Sequence, residues 1–187
     1  MRLFIGTMLA IGIVALAHAF GSVASQDSAG DALDAAYGES MALYEAGQWQ
    51  DARERFLGLA QAGHAGAEAM MGKIYYHGQG VDQDPVTAAI WLYRSARRGY
   101  GAAQLALGSL YRHGTGVAAD PAKAYAWFAL AELRGGEPVR QEARRLMAVM
   151  EDDLAPEAIA AARQWVANWR PVYGLSMANA ASQAADD

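Results

Sequence analysis

The sequence predicts an all-α protein, a right-handed α/α superhelical solenoid of about four helix pairs. Three observations carry that expectation. The stretch Ala67 to Gly99 recurs as Ala103 to Gly135, offset by 36 residues with no gap. A fixed period of this size marks stacked helical or propeller units. Apolar residues make up 53% of the 187-residue chain, with alanine and glycine carrying much of that share. Val/Ile/Thr runs are scarce, so close-packed helices are favoured over sheet.

The first residues read as a targeting segment. Arg2 is the lone charge before Asp27, Leu3 to Phe20 is apolar, and small residues follow at Ala17-His18-Ala19 and Ser22 to Ser25. A positive start, an apolar centre and a small-residue exit describe a secretory signal peptide over 1–24, cut near 19–25. Export to a periplasm is the expectation. The alternative is an inner-membrane anchor, because an uncut run of this length can just span a bilayer. Residues 25–31 are small and polar and read as a linker.

Three repeats are expected over 32–136, divided as 32–66, 67–102 and 103–136. In the first, Leu33, Ala36, Met41 and Tyr44 form one helical stripe. Gly47 ends that helix. Trp49, Ala52, Phe56, Leu59 and Ala60 mark the inward side of the next helix, which Gly63 closes. Gly63 lies 36 residues before Gly99. Its loop is shorter than in the later copies, because Tyr44 to Ala52 spans eight positions where Tyr75 to Ala88 spans thirteen.

Each clear copy reads as a helix pair. Ala67 to His77 is the first helix, with Met71, Ile74 and Tyr75 inward. Gly72 is placed for a close approach of the partner helix, near Trp91. Gly78 stops the helix in the left-handed conformation, Gly80 turns the chain, and Asp84 caps the next helix with Pro85 at its first position. The second copy repeats these jobs at Gly108, Tyr111, Gly114, Gly116, Asp120 and Trp127. Trp91 and Trp127 read as core rather than as an aromatic box. A capping helix pair is expected over 137–172, starting at Glu137-Pro138 and again at Ala155-Pro156. The last stretch, 173–187, is small, polar and acidic and reads as a disordered tail.

The pattern A-x4-G-x2-Y-x2-G-x-G-V-x2-D-x3-A-x2-W-x7-G, present twice, resembles the Sel-one-like repeat family, the longer-loop relative of the tetratricopeptide repeat. Arg144 to Trp169 is also similar to the C-terminal cap of bacterial members. The resemblance covers about three quarters of the chain. It implies a scaffold or adaptor that binds proteins, often in export, envelope or signalling pathways. Some cysteine-rich relatives are linked to β-lactams; this chain has no cysteine.

By the same resemblance, the first helix of each unit lines a concave face. That face would present Ala69, Lys73, Tyr76 and His77 from one copy and Leu105, Ser109, Arg112 and His113 from the next, with Gln141 and Arg145 added by the cap. Lys73, Arg112 and Arg145 would then form a basic line in a chain of net charge −5. Such a line suits an acidic or carboxylate-bearing peptide or protein. The net charge argues against a nucleic-acid partner. No membrane contact beyond the signal segment, no cofactor and no metal are expected. His77 and His113 occupy matching positions, but no Asp, Glu or third His has ligand spacing beside them. Ser109 and His113 share a helix face, yet nothing supplies an oriented base or an oxyanion site. The reading is therefore a non-catalytic binding scaffold. Its rival is an envelope hydrolase acting on peptidoglycan or β-lactams.

Overall fold

The computed structural model describes residues 30–172 together with Ala180 and Gln183. Eight helices span this part: 30–45 (α1), Trp49–Gln61 (α2), Ala65–His77 (α3), Pro85–Arg97 (α4), Gly101–His113 (α5), Pro121–Arg134 (α6), Glu137–Glu151 (α7) and Pro156–Asn168 (α8). There is no strand among the described residues. Consecutive helices pack on one another from α2 to α7, which makes the solenoid. The expected signal segment and residues 25–29 of the linker lie outside the described residues, while residues 30 and 31 of that linker already belong to α1. Of the expected tail, Ala180 and Gln183 are described; both are helical, and Ala180 is buried against the core.

The punctuation works through local chemistry. Gly47, Gly63, Gly78, Gly80, Gly99, Gly114 and Gly116 all have φ between 69° and 93°. Asp84 accepts hydrogen bonds from the N–H groups of Val86 and Thr87, and Asp120 accepts one from Lys123. Each cap therefore satisfies donors that the first helical turn leaves orphaned. The Asp84 N–H donates back to Tyr75 O at 2.9 Å, and Asp120 N–H to Tyr111 O at 2.8 Å, so each loop is latched to the helix it leaves. Gly135 departs from its partner Gly99: its backbone is extended, and a Cβ there would lie 2.5 Å from Val139 Cγ1.

Glycine also sets the spacing of paired helices. A Cβ on Gly72 would stand 2.6 Å from Leu92 Cγ, and one on Gly108 would stand 2.7 Å from Phe128. The partner at the close approach is thus Leu92, one residue beyond the expected Trp91. The loops interlock with the preceding unit as well. Gly80 sits on the backbone of Trp49 and Gln50, and Gly116 sits on Pro85 and Val86.

The core lies in two clusters that meet along α4. Ala52, Phe56, Leu59, Ala60, Met71, Ile74 and Trp91 belong to the first. Leu92, Tyr93, Leu107, Tyr111, Trp127, Phe128 and Leu130 belong to the second. Trp91 and Trp127 are core, as expected. Trp49 is not: it is 43% exposed at the first turn of α2. The capping pair also differs from a repeat. Both α7 and α8 pack on α6, and their direct contact is slight. Trp165 of α8 meets Trp127 edge-on at 5.2 Å. Trp169 lies under the Arg134 guanidinium at 4.9 Å, and the Val172 N–H donates to Arg97 O.

Candidate binding groove

A groove of about 440 Å³ runs between α3 and α5, with Tyr37 of α1 at one end. Helix α3 supplies Gly66, Ala69, Met70, Lys73, Tyr76 and His77. Helix α5 supplies Ala102, Ala106, Ser109, Leu110 and His113. These positions repeat every three or four residues, so each helix offers one continuous stripe. Small side chains at Ala69, Ala102 and Ala106 leave the space, while Met70, Leu92 and Leu110 make its base apolar. No carboxylate lines it.

The start of the groove is lined by aromatics. Tyr37 and Tyr100 are hydrogen-bonded through their side chains; burial, then the Tyr100 hydroxyl, pushes the Tyr37 phenol up to about 12. The Tyr37 ring stacks on His64 at 4.6 Å. His64 Nδ1 accepts the Ala67 N–H, which leaves Nε2 as the donor to Asp34 Oδ1 at 3.0 Å. Gly66 permits this packing, since a Cβ there would crowd His64 and Tyr37. The far end is formed by Tyr76, His77, His113 and Thr115. Tyr76 meets the His77 ring edge-on at 5.0 Å.

Five of the seven expected binding residues meet here: Lys73, Tyr76, His77, Ser109 and His113. The expected basic line does not form. Arg112 is half-buried and does not line the groove. Arg145 is bound to Glu142 on its own helix, at 2.8 and 2.6 Å. That pairing raises the Arg145 pKa and lowers that of Glu142. Lys73 is exposed, and its ammonium lies 5.0 Å from the centre of the Tyr44 ring. Sequence reasoning missed Tyr37, Tyr100 and the floor residues. The usable signal was the alternation of alanine with larger residues along both first helices.

Ser109 Oγ donates to Leu105 O at 3.2 Å, a bond back to its own helix. No group of three or more His, Asp or Glu side chains able to hold a metal occurs among the described residues. Nor is any described helix long and apolar enough to cross a membrane.

Opposite the groove, α3 buries Glu68 completely against α4. Arg94 Nη2 lies 2.8 Å from Glu68 Oε1, and Arg98 Nε donates to Oε2 at 2.9 Å. Burial still lifts the Glu68 pKa above the ordinary value, with Arg98 and Arg94 opposing that rise.

Comparison with known proteins gives the same architecture. The Sel1 repeat model matches residues 65–100 and 101–136, so the chain carries two Sel1 repeats. A protective antigen of uropathogenic Escherichia coli strains, which displays an SLR fold, is similar at 25% identity and TM-score 0.67, covering 82% of this chain and 32% of its own. A Sel1 repeat protein from Oxalobacter formigenes is similar in fold at 22% identity and TM-score 0.57, covering 71% of this chain and 55% of its own. This chain therefore spans about a third to a half of those solved chains. No curated protein matches.

Proposed function

We propose that this Sel1-repeat chain is an exported, non-catalytic scaffold that holds an acidic or carboxylate-bearing protein or peptide in the α3/α5 groove. Sel1 repeats generally mediate protein–protein interactions. The observation that carries the reading is the groove lining: an apolar base with Lys73, His77 and His113 at its rim and no carboxylate. Lys73 beside an apolar base favours a partner with apolar surface and negative charge, because such a partner gains from desolvation and from a charge-assisted bond together. Export rests on the N-terminal sequence, with the periplasm as the destination.

Affinity purification from envelope extract tests the groove. The wild-type chain is expected to retain partners that Lys73→Glu and Ala106→Leu variants lose. Retention of every partner by both variants would refute groove binding. N-terminal sequencing of the periplasmic protein tests export, with a start between positions 20 and 26 expected from the small residues there. The envelope-hydrolase alternative needs Ser109. Turnover of nitrocefin or peptidoglycan that disappears in Ser109→Ala would establish it against the scaffold reading.

A further inference from the structure

The ligand class can be narrowed further, and the narrowing rests on the groove reading above. From the sequence, three cations were expected along one face, which would suit a run of acidic residues. The fold leaves one of them at the groove, Lys73. Arg145 is occupied by Glu142, and Arg112 faces elsewhere.

Lys73 is set apart from most other surface cations by what surrounds it. Arg55 pairs with Glu39, Arg140 with Glu137, Arg144 with Glu132 and Arg163 with Glu151. Lys73 forms no ion pair among the described residues; its recorded contact is the Tyr44 ring. Its ammonium is thus held beside the groove with its charge uncompensated by a carboxylate. The two histidines at the far end add charge only when protonated.

Size and shape restrict the occupant in the same direction. A space of about 440 Å³ accepts one or two large side chains. An α-helix with its side chains is about 10–12 Å across, too wide to enter between two neighbouring helices of the same layer. Tyr37 and Tyr100 line the groove at the start of α3 and α5, and His77 and His113 line its other end, so the occupant lies along the stretch between them.

We infer that the groove takes a short extended peptide segment with one large apolar side chain seated over Met70, Leu110 and Ala106 and a single neighbouring carboxylate bound to Lys73. An acidic run is not the ligand, because one lysine cannot compensate several charges and the base of the groove, Met70, Leu92 and Leu110, is apolar.

A random dodecapeptide phage library panned on the purified full chain tests this. The wild-type chain should enrich peptides that combine a large apolar residue with one nearby Asp or Glu. Panning on Lys73→Glu should keep the apolar residue and drop the acid. A selected peptide should bind this variant about tenfold or more weakly, the loss of one charge-assisted contact. Ala106→Leu should abolish enrichment by filling the floor. If that variant fails to fold by circular dichroism, Ala69→Leu fills the same space from the other wall.

Enrichment of acidic runs without an apolar residue would overturn the inference, as would an acid preference unchanged in Lys73→Glu. Binding of dodecanoate by calorimetry with no peptide enriched would also overturn it, in favour of a small amphiphile. The two levels separate cleanly. Acidic-run motifs combined with partner loss in Ala106→Leu defeat the peptide inference and leave groove binding standing. Retention of all envelope partners in both floor-filling variants defeats groove binding itself.

Discussion

Residues 65–100 and 101–136 build the same unit twice, yet their interiors use different chemistry. The first copy buries an ionic triad, Glu68 with Arg94 and Arg98. The matching positions of the second copy are Gln104, Leu130 and Arg134. Gln104 donates to Ala96 O at 3.1 Å, and Leu130 is fully buried. Arg134, with no buried acid to hold it, lies over Trp169 and so helps to tie the C-terminal helices to the second copy. One feature is common to both. Arg98 lies beside Gly63, and Arg134 beside Gly99, each the helix-ending glycine one unit earlier. The unit thus fixes backbone geometry and leaves the polar interior free to vary.

The largest way to break the comparison is at the interlocking loops. A Cβ on Gly116 would lie 2.0 Å from Pro85 O, against the Pro85–Val86 peptide, and φ there is +71°. On Gly80 the nearest atom is Gln50 N at 3.0 Å. Gly116→Ala is expected to cost on the order of 5 kcal/mol and Gly80→Ala about half of that. Urea denaturation monitored by circular dichroism measures both; equal losses would show that the two junctions are equivalent.

Next comes the triad. Glu68→Gln leaves two buried guanidinium groups without an anion and should cost about 3 kcal/mol. Adding Arg94→Leu copies the Gln104/Leu130 pair of the second unit and should recover at least half of the loss. Failure to recover would mean that the first copy needs its ions for more than local compensation.

A smaller effect separates two carboxylates by pH. Glu68 has a raised pKa, from burial. The stability linked to it is therefore fully present below the unfolded carboxylate pKa and is lost as pH rises through the folded value. Asp84 has a lowered pKa, chiefly from the Thr87 hydroxyl. The stability linked to it is present above the unfolded value and is lost as pH falls through the folded one. Melting temperatures across the acidic range should rise more steeply toward neutral pH in Glu68→Gln/Arg94→Leu, because the Glu68 contribution that falls with rising pH is gone. Asp84→Asn should lose less on acidification than the wild-type chain. Identical profiles for all three proteins would contradict both assignments.

The smallest expected effect is on stability at the groove. Lys73→Glu should leave the melting curve within about 0.5 kcal/mol of wild type, because Lys73 is exposed and makes no ion pair among the described residues. A larger loss would make Lys73 part of the scaffold.

Local signals in the sequence specify the repeat, the all-helical class, most of the helix ends and most of the core; the start of α3 lies two residues before the expected Ala67. Those features follow from signals that act over a few residues: glycine after a last turn, Asp-Pro before a first turn, and apolar spacing along one helix. The glycines and caps stand where they were expected, with Gly135 as the exception where Val139 crowds the turn. Tertiary structure decided the groove. Its walls come from helices a full repeat apart, and successive residues turn about 100° around each axis, so a small rotation of one helix against its neighbour exchanges which side chains face the gap. That rotation admits Ser109 and His113 and leaves Arg112 out. It also brings Tyr37 to Tyr100 across the start of α3. Arg145 is lost to the groove for a local reason instead: it pairs with Glu142, one turn away on its own helix.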